Sequence, residues 1–163
     1  MSEKINVTSS NENIEKVYIE SSDTVKVELN DSGFYIEFNP LDMDIPLRIE
    51  KASKDLKKIS DKLQQEILII EKREDVQDGL FTRNTKEKLL KLREYNTECG
   101  KVVDELFGEG TSKHAFGNRN YFGMYNDLFD SLQPIIQKVY GNPDTVIDHI
   151  KHKYSKEDSD VLR

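Results

Sequence analysis

Between Ile45 and Ile70 the apolar residues Ile45, Ile49, Ala52, Leu56, Ile59, Leu63, Ile67 and Ile70 recur at steps of three and four. No other pattern in the chain constrains its fold as strongly. It is nearly a heptad seam, and it predicts one α-helix of about 28 residues, or about 42 Å at 1.5 Å per residue. Such a stripe suits packing against other helices, whether of the same chain or of a partner. Asp42, Asp44 and Pro46 supply start signals, with acids near the positive end of the helix dipole and a proline where no intrahelical donor is required. Glu50–Lys54 and Lys51–Asp55 are opposite charges one turn apart, each worth about 0.2–0.5 kcal/mol. The polar run from Asp75 to Gly79 stops the pattern.

Upstream the period changes from 3.6 to 2. Val17 and Ile19, then Val25, Val27 and Leu29, then Phe34, Ile36 and Phe38 alternate with polar residues, and Ser21–Asp23 and Asn30–Gly33 offer turn chemistry between them. This predicts a hairpin or three-stranded meander over 14–39, with an apolar inner face and an acidic outer face carrying Glu20, Glu28 and Glu37. Residues 1–13, rich in Ser, Asn and Glu, read as a mobile acidic tail.

Downstream, Asn84 and Glu87 have capping-box spacing ahead of a second helix with Leu89, Leu92, Cys99, Val102, Val103, Leu106 and Phe107, ending at Gly108. A third helix is expected from about Asn120 to Tyr140, kinked at Pro134. Asn142-Pro143-Asp144 opens a short last helix with Val146, Ile147, Ile150 and Tyr154. The fold class is therefore α+β, mainly α: a small N-terminal antiparallel β element, then a bundle of about four helices over 40–154, one of them long. Residues 155–163 form a charged tail.

Charge narrows the partners. The chain carries a net charge of −7. Residues 1–46 hold 3 Lys and Arg against 10 Asp and Glu, whereas 47–163 hold 21 of each, so all the excess belongs to the β element and tail. Neither part has a basic surplus for phosphates, which argues against nucleic acid and anionic membrane. The longest apolar run, Ile67–Ile70, is far short of a bilayer span, and the polar N-terminus does not read as a signal peptide. With Cys99 alone, no internal disulfide forms. These features point to a protein working in the cytoplasm.

Candidate chemistry is sparse. Gly108–Lys113 lacks the spacing of a phosphate loop and reads as a helix C-cap and interhelical loop. His149 and His152 share a helix face but have no further metal ligands nearby, and His114 lies in the loop. Cys99 has core spacing, and Asp127 and Asp130 sit on a polar face. Lys54, Lys57 and Lys58 alternate with Asp55 and Asp61, as on a solvated helix face. No catalytic constellation, metal site or cofactor site emerges, and the chain reads as non-enzymatic. The least ordinary feature is the aromatic set Phe107, Phe116, Tyr121, Phe122, Tyr125 and Phe129. Phe116 is expected in a loop between Gly110 and Gly117, either folded back as a hydrophobic plug or, with its neighbours, anchoring a partner helix. The long seam is open in the same way: consumed inside the bundle, or partly left for self-association or a helical client.

The segments Val103–Gly110, Ala115-Phe116-Gly117 and Asp127–Ile136, together with Phe34–Asp42, resemble the tail assembly chaperones of long-tailed phages and prophages of Gram-positive bacteria. The likeness covers about residues 30–142. It implies a small protein of the host cytoplasm that binds the long, helical tape measure protein, keeps it soluble and helps recruit major tail protein to the growing tube. It implies no catalytic residues. A helical adaptor unrelated to phage is the alternative.

Overall fold

The computed structural model describes residues 24–141, together with Glu15 and Val17. Its elements run β1 (Val25–Glu28), β2 (Tyr35–Phe38), α1 (Asp44–Glu71), β3 (Gln77–Asp78), β4 (Phe81–Thr82), α2 (Arg83–Phe107), α3 (Thr111–Phe116) and α4 (Met124–Tyr140). The protein is mainly α, with a small antiparallel sheet on its N-terminal side. The two tails, most of the first expected strand and the last expected helix with His149 and His152 lie outside the described residues. Val17 belongs to no strand and is exposed.

The seam folds as its spacing requires. All eight seam residues are buried or half-buried, and α1 spans 28 residues. Its partner is α2. The ion pairs Lys51–Glu105, Lys91–Glu66, Lys88–Glu71 and Arg73–Glu87 climb α1 while descending α2, which fixes an antiparallel register. The predicted pairs Glu50–Lys54 and Lys51–Asp55 form at 2.8 and 3.1 Å.

The link between these helices is not a simple stop. It is a second hairpin, β3–β4, pairing Gln77 with Thr82 and Asp78 with Phe81. Gly79, at φ 76°, is the first of its two loop residues, the position where a tight hairpin turn demands positive φ. The cap of α2 is Thr82 rather than Asn84: its hydroxyl accepts from the Thr85 amide at 3.2 Å. Asn84 instead lies buried in the first turn, where its side-chain amide donates to the carbonyls of Ile70 and Arg73 at 3.1 and 3.2 Å. Its backbone amide is taken by the Asp75 carboxylate. One asparagine thus ties the end of α1 to the start of α2. Asn84→Ala should lower the unfolding free energy by about 1–3 kcal/mol, because both bridging hydrogen bonds from this buried side chain are lost and the Ile70 carbonyl keeps only backbone partners. Urea unfolding followed by far-UV circular dichroism measures it.

The β1–β2 sheet pairs Val25 with Phe38 through Glu28 with Tyr35. Ile36 and Phe38 face inward, while Lys26, Glu28 and Glu37 face water. Asn30 and Asp31 adopt φ 53° in the connecting turn, a region these side chains tolerate. The Asn30 side-chain amide donates to the Ala115 carbonyl, docking the turn on α3. The core joins Ile36 and Phe38 with Cys99 and Val103 of α2, Ala115 and Phe116 of α3, and Leu128, Leu132 and Tyr140 of α4. Helix α4 passes through Pro134, whose ring lies on the exposed face. The Asp130 carbonyl that loses its donor there is on the solvent side, which reduces the cost of the interruption.

Candidate functional site: an apolar groove between helices

Three departures from the expected layout create the site. Residues 111–116 form a short helix, not a loop, and Phe116 at its end is only 8% exposed. Its ring meets Tyr125 edge-on at 5.0 Å and Tyr121 at 6.4 Å. Phe116 is therefore the plug of the two alternatives. Next, α4 begins at Met124 rather than near Asn120, because Gly123 at φ 85° breaks the helical path. Tyr121 and Phe122 consequently fall in the turn before it. Finally, that turn is pinned: the Asn96 side-chain amide donates to Asn120 Oδ1 and, at 3.2 Å, to the Tyr121 carbonyl. Phe122 projects with its side chain 73% exposed.

The result is an open groove of about 320 Å³ between α1 and α4. Leu56, Ser60 and Leu63 form the α1 wall, Tyr95 of α2 the floor, and Phe122, Tyr125 and Phe129 the opposite wall. Lys57, Gln64 and Asn126 give it a polar rim. Gly100 helps to set the far wall. A Cβ there would lie 2.7 Å from the Tyr125 hydroxyl, so only glycine lets that ring lie flush on α2. The Ser112 hydroxyl reinforces the junction by donating to the Gly100 carbonyl at 2.9 Å.

The aromatic set thus divides. Phe122, Tyr125 and Phe129 line the groove, whereas Phe107 packs edge-on against Phe38 at 5.9 Å and Phe116 fills the core. Tyr121 stands beside the α4 N-terminus, its hydroxyl 3.5 Å from Asp127 Oδ2. The groove residues Leu56, Leu63 and Tyr95 were not singled out as site residues by sequence, since their spacing is that of ordinary core positions. His114, on α3, stacks on Phe34 with ring centroids 4.2 Å apart. Cys99 is fully buried, as its spacing predicts, and burial pushes its thiol up, away from the reactive thiolate.

Burial also raises the phenols of Tyr95 and Tyr140 to about 12, with the neighbouring Cys99 adding to the effect at Tyr95 and Asp42 at Tyr140. An unfolded tyrosine ionises near pH 10. The stability these groups contribute is therefore complete below about pH 10 and falls as pH rises toward about 12. Lys51, Lys54 and Lys91, raised by their carboxylate partners, act in the same direction. Urea midpoints across this window should decline, and less steeply for Tyr140→Phe than for the wild type. Equal slopes would remove Tyr140 from the account.

Fold and groove together define a class: a mainly helical protein with a long antiparallel helix pair and an apolar channel open to solvent along one side. A family model matches residues 32–159, and the chain belongs to that family, described as a family of unknown function (DUF6673). No curated protein and no solved structure matches the chain.

Proposed function

We propose that this protein is a tail assembly chaperone of a long-tailed phage or prophage. It binds apolar helical segments of the tape measure protein, keeps them soluble in the host cytoplasm and helps recruit major tail protein. It acts by binding, with no catalytic step. The observation that carries the reading is the groove between α1 and α4, whose apolar walls and polar rim suit a helix inserting side chains from successive turns. The likeness of residues 30–142 to these chaperones supplies the client. Phe122 is the expected anchor, since a largely exposed phenylalanine beside a groove gains most on burial.

Co-expression of the full chain with the tape measure protein tests the reading. The expected result is a soluble complex recovered by pull-down from cells in which the tape measure protein alone aggregates. Continued aggregation beside abundant folded protein overturns it.

A further inference from the structure

Among the described residues three polar side chains are buried: Asn84, Asn96 and Thr111. Asn84 ties α1 to α2, and the Thr111 hydroxyl donates to the Gly108 carbonyl at 2.7 Å within its own turn. Asn96 stands apart. It occupies a seam position of α2, in the series Leu92, Asn96, Cys99, Val103 and Leu106 with steps of four and three, and it is 6% exposed. That spacing calls for an apolar side chain, and a buried amide is costly unless its hydrogen bonds are made. The bonds it donates go to neither α1 nor the body of α4. Both reach the turn ahead of α4, at Asn120 Oδ1 and the Tyr121 carbonyl.

That turn lies between Gly117 and Gly123, both at positive φ (60° and 85°). Its other hydrogen bonds among the described residues are local. The Arg119 amide and Nε donate to the Phe116 carbonyl at 3.1 and 3.3 Å, and the Tyr121 hydroxyl lies 3.5 Å from Asp127 Oδ2. The Tyr121 carbonyl and the Phe122 amide share one planar peptide unit, so a bond to that carbonyl orients the plane from which the Phe122 side chain departs. Phe122, largely exposed, borders the groove beside Leu56, Tyr95 and Phe129. Burial favours an exposed phenylalanine, and the nearest apolar surface is that groove. A ring released from Asn96 would fold down onto the groove walls and fill the space a client needs.

We propose that Asn96 is a positioning residue. It holds Phe122 clear of the groove, so that the site stays open and its anchor stays presented. The effect on binding rests on the client reading above; the effect on Phe122 does not.

The chain contains no tryptophan, so Phe122→Trp places a single reporter at this position. The expected emission is that of a water-exposed indole, readily quenched by acrylamide. Adding Asn96→Leu completes the apolar seam with a side chain of like size and leaves two acceptors free to bind water. It should shift the emission to the blue and lower the quenching. Asn120→Ala, at an exposed residue, should act in the same direction to a smaller extent, and it keeps the test alive if Asn96→Leu fails to fold. Urea midpoints should stay near the wild-type value in both. An indole already shielded in Phe122→Trp alone overturns the proposal, and so does one that stays equally exposed, or becomes more exposed, when Asn96 is replaced.

Recovery of the tape measure protein gives a second reading. Asn96→Leu in the otherwise native chain should cut it at least tenfold, and Phe122→Ala should add little in that background, because both remove the same presented ring. Fully additive losses overturn the proposal. A wild-type chain that recovers no tape measure protein overturns the client reading alone, and the indole still decides the role of Asn96.

Discussion

Replacing Phe38 by alanine should lower the unfolding free energy by about 3–5 kcal/mol, among the largest stability losses expected from a single side chain. Phe38 is 0% exposed, the largest of the fully buried side chains. Its ring meets Phe107 edge-on at 5.9 Å and Tyr140 at 6.3 Å, so it is the wedge at which β2, the end of α2 and the end of α4 meet. Truncation removes the transfer energy of the ring and leaves a cavity that three separate elements would have to move to fill. Tyr35 supplies the control. It lies three residues earlier in the same strand, on the opposite face and half exposed. Tyr35→Ala should shift the urea midpoint by the equivalent of no more than about 0.5 kcal/mol. Equal losses from the two would mean that the small sheet contributes through strand propensity, not through this wedge.

The second large effect concerns binding. Phe122→Ala should cut recovery of the tape measure protein at least tenfold, equivalent to about 1.4 kcal/mol, while changing stability by less than about 0.5 kcal/mol. Phe116→Ala should do the reverse: a loss of about 3–5 kcal/mol in stability, with client recovery preserved wherever the variant is still folded. The contrast follows from geometry. The two rings are six residues apart in one aromatic cluster, yet one is a core plug and the other a projecting anchor. If Phe122→Ala leaves recovery intact, the groove is not where the client binds. If Phe116→Ala abolishes recovery while folded, the buried plug must become accessible on binding.

The sequence was most legible where a period ran long. The seam of α1 repeats over seven turns, and its residues fall inward together. The alternation of Phe34, Ile36 and Phe38 marked β2 for the same reason. What escaped was decided by one or two residues. Thr82 and Asn84 are both competent caps, and only the neighbouring Ile70 and Arg73 carbonyls make Asn84 worth more inside the turn. Gly79-Leu80, between Asp78 and Phe81, is a recognisable two-residue hairpin turn with glycine at its first position, but beside a finished helix it reads equally well as a stop. The helical pattern of Tyr121, Phe122 and Tyr125 runs straight through Gly123, and nothing local reveals that this glycine takes a positive φ. The groove itself was not legible. It is a gap between helices distant in sequence, and Leu56 and Leu63 carry the same signature whether a neighbouring helix covers them or not.

One hydrogen bond bears on the order in which the molecule is made. The Tyr140 hydroxyl donates to the Asn39 carbonyl at 2.7 Å, joining residues 101 positions apart. The α1–α2 pair needs only its own short turn to close, so on a chain emerging from the ribosome it can zip up early. The wall formed by Phe122, Tyr125 and Phe129, and with it the groove, comes into being only after residue 129 has been synthesised, and the Tyr140 bond that ties the end of α4 to the sheet side comes later still. A newly made copy therefore acquires its α1–α2 pair before its groove, so it holds nothing between α1 and α4 until the first turns of α4 have docked.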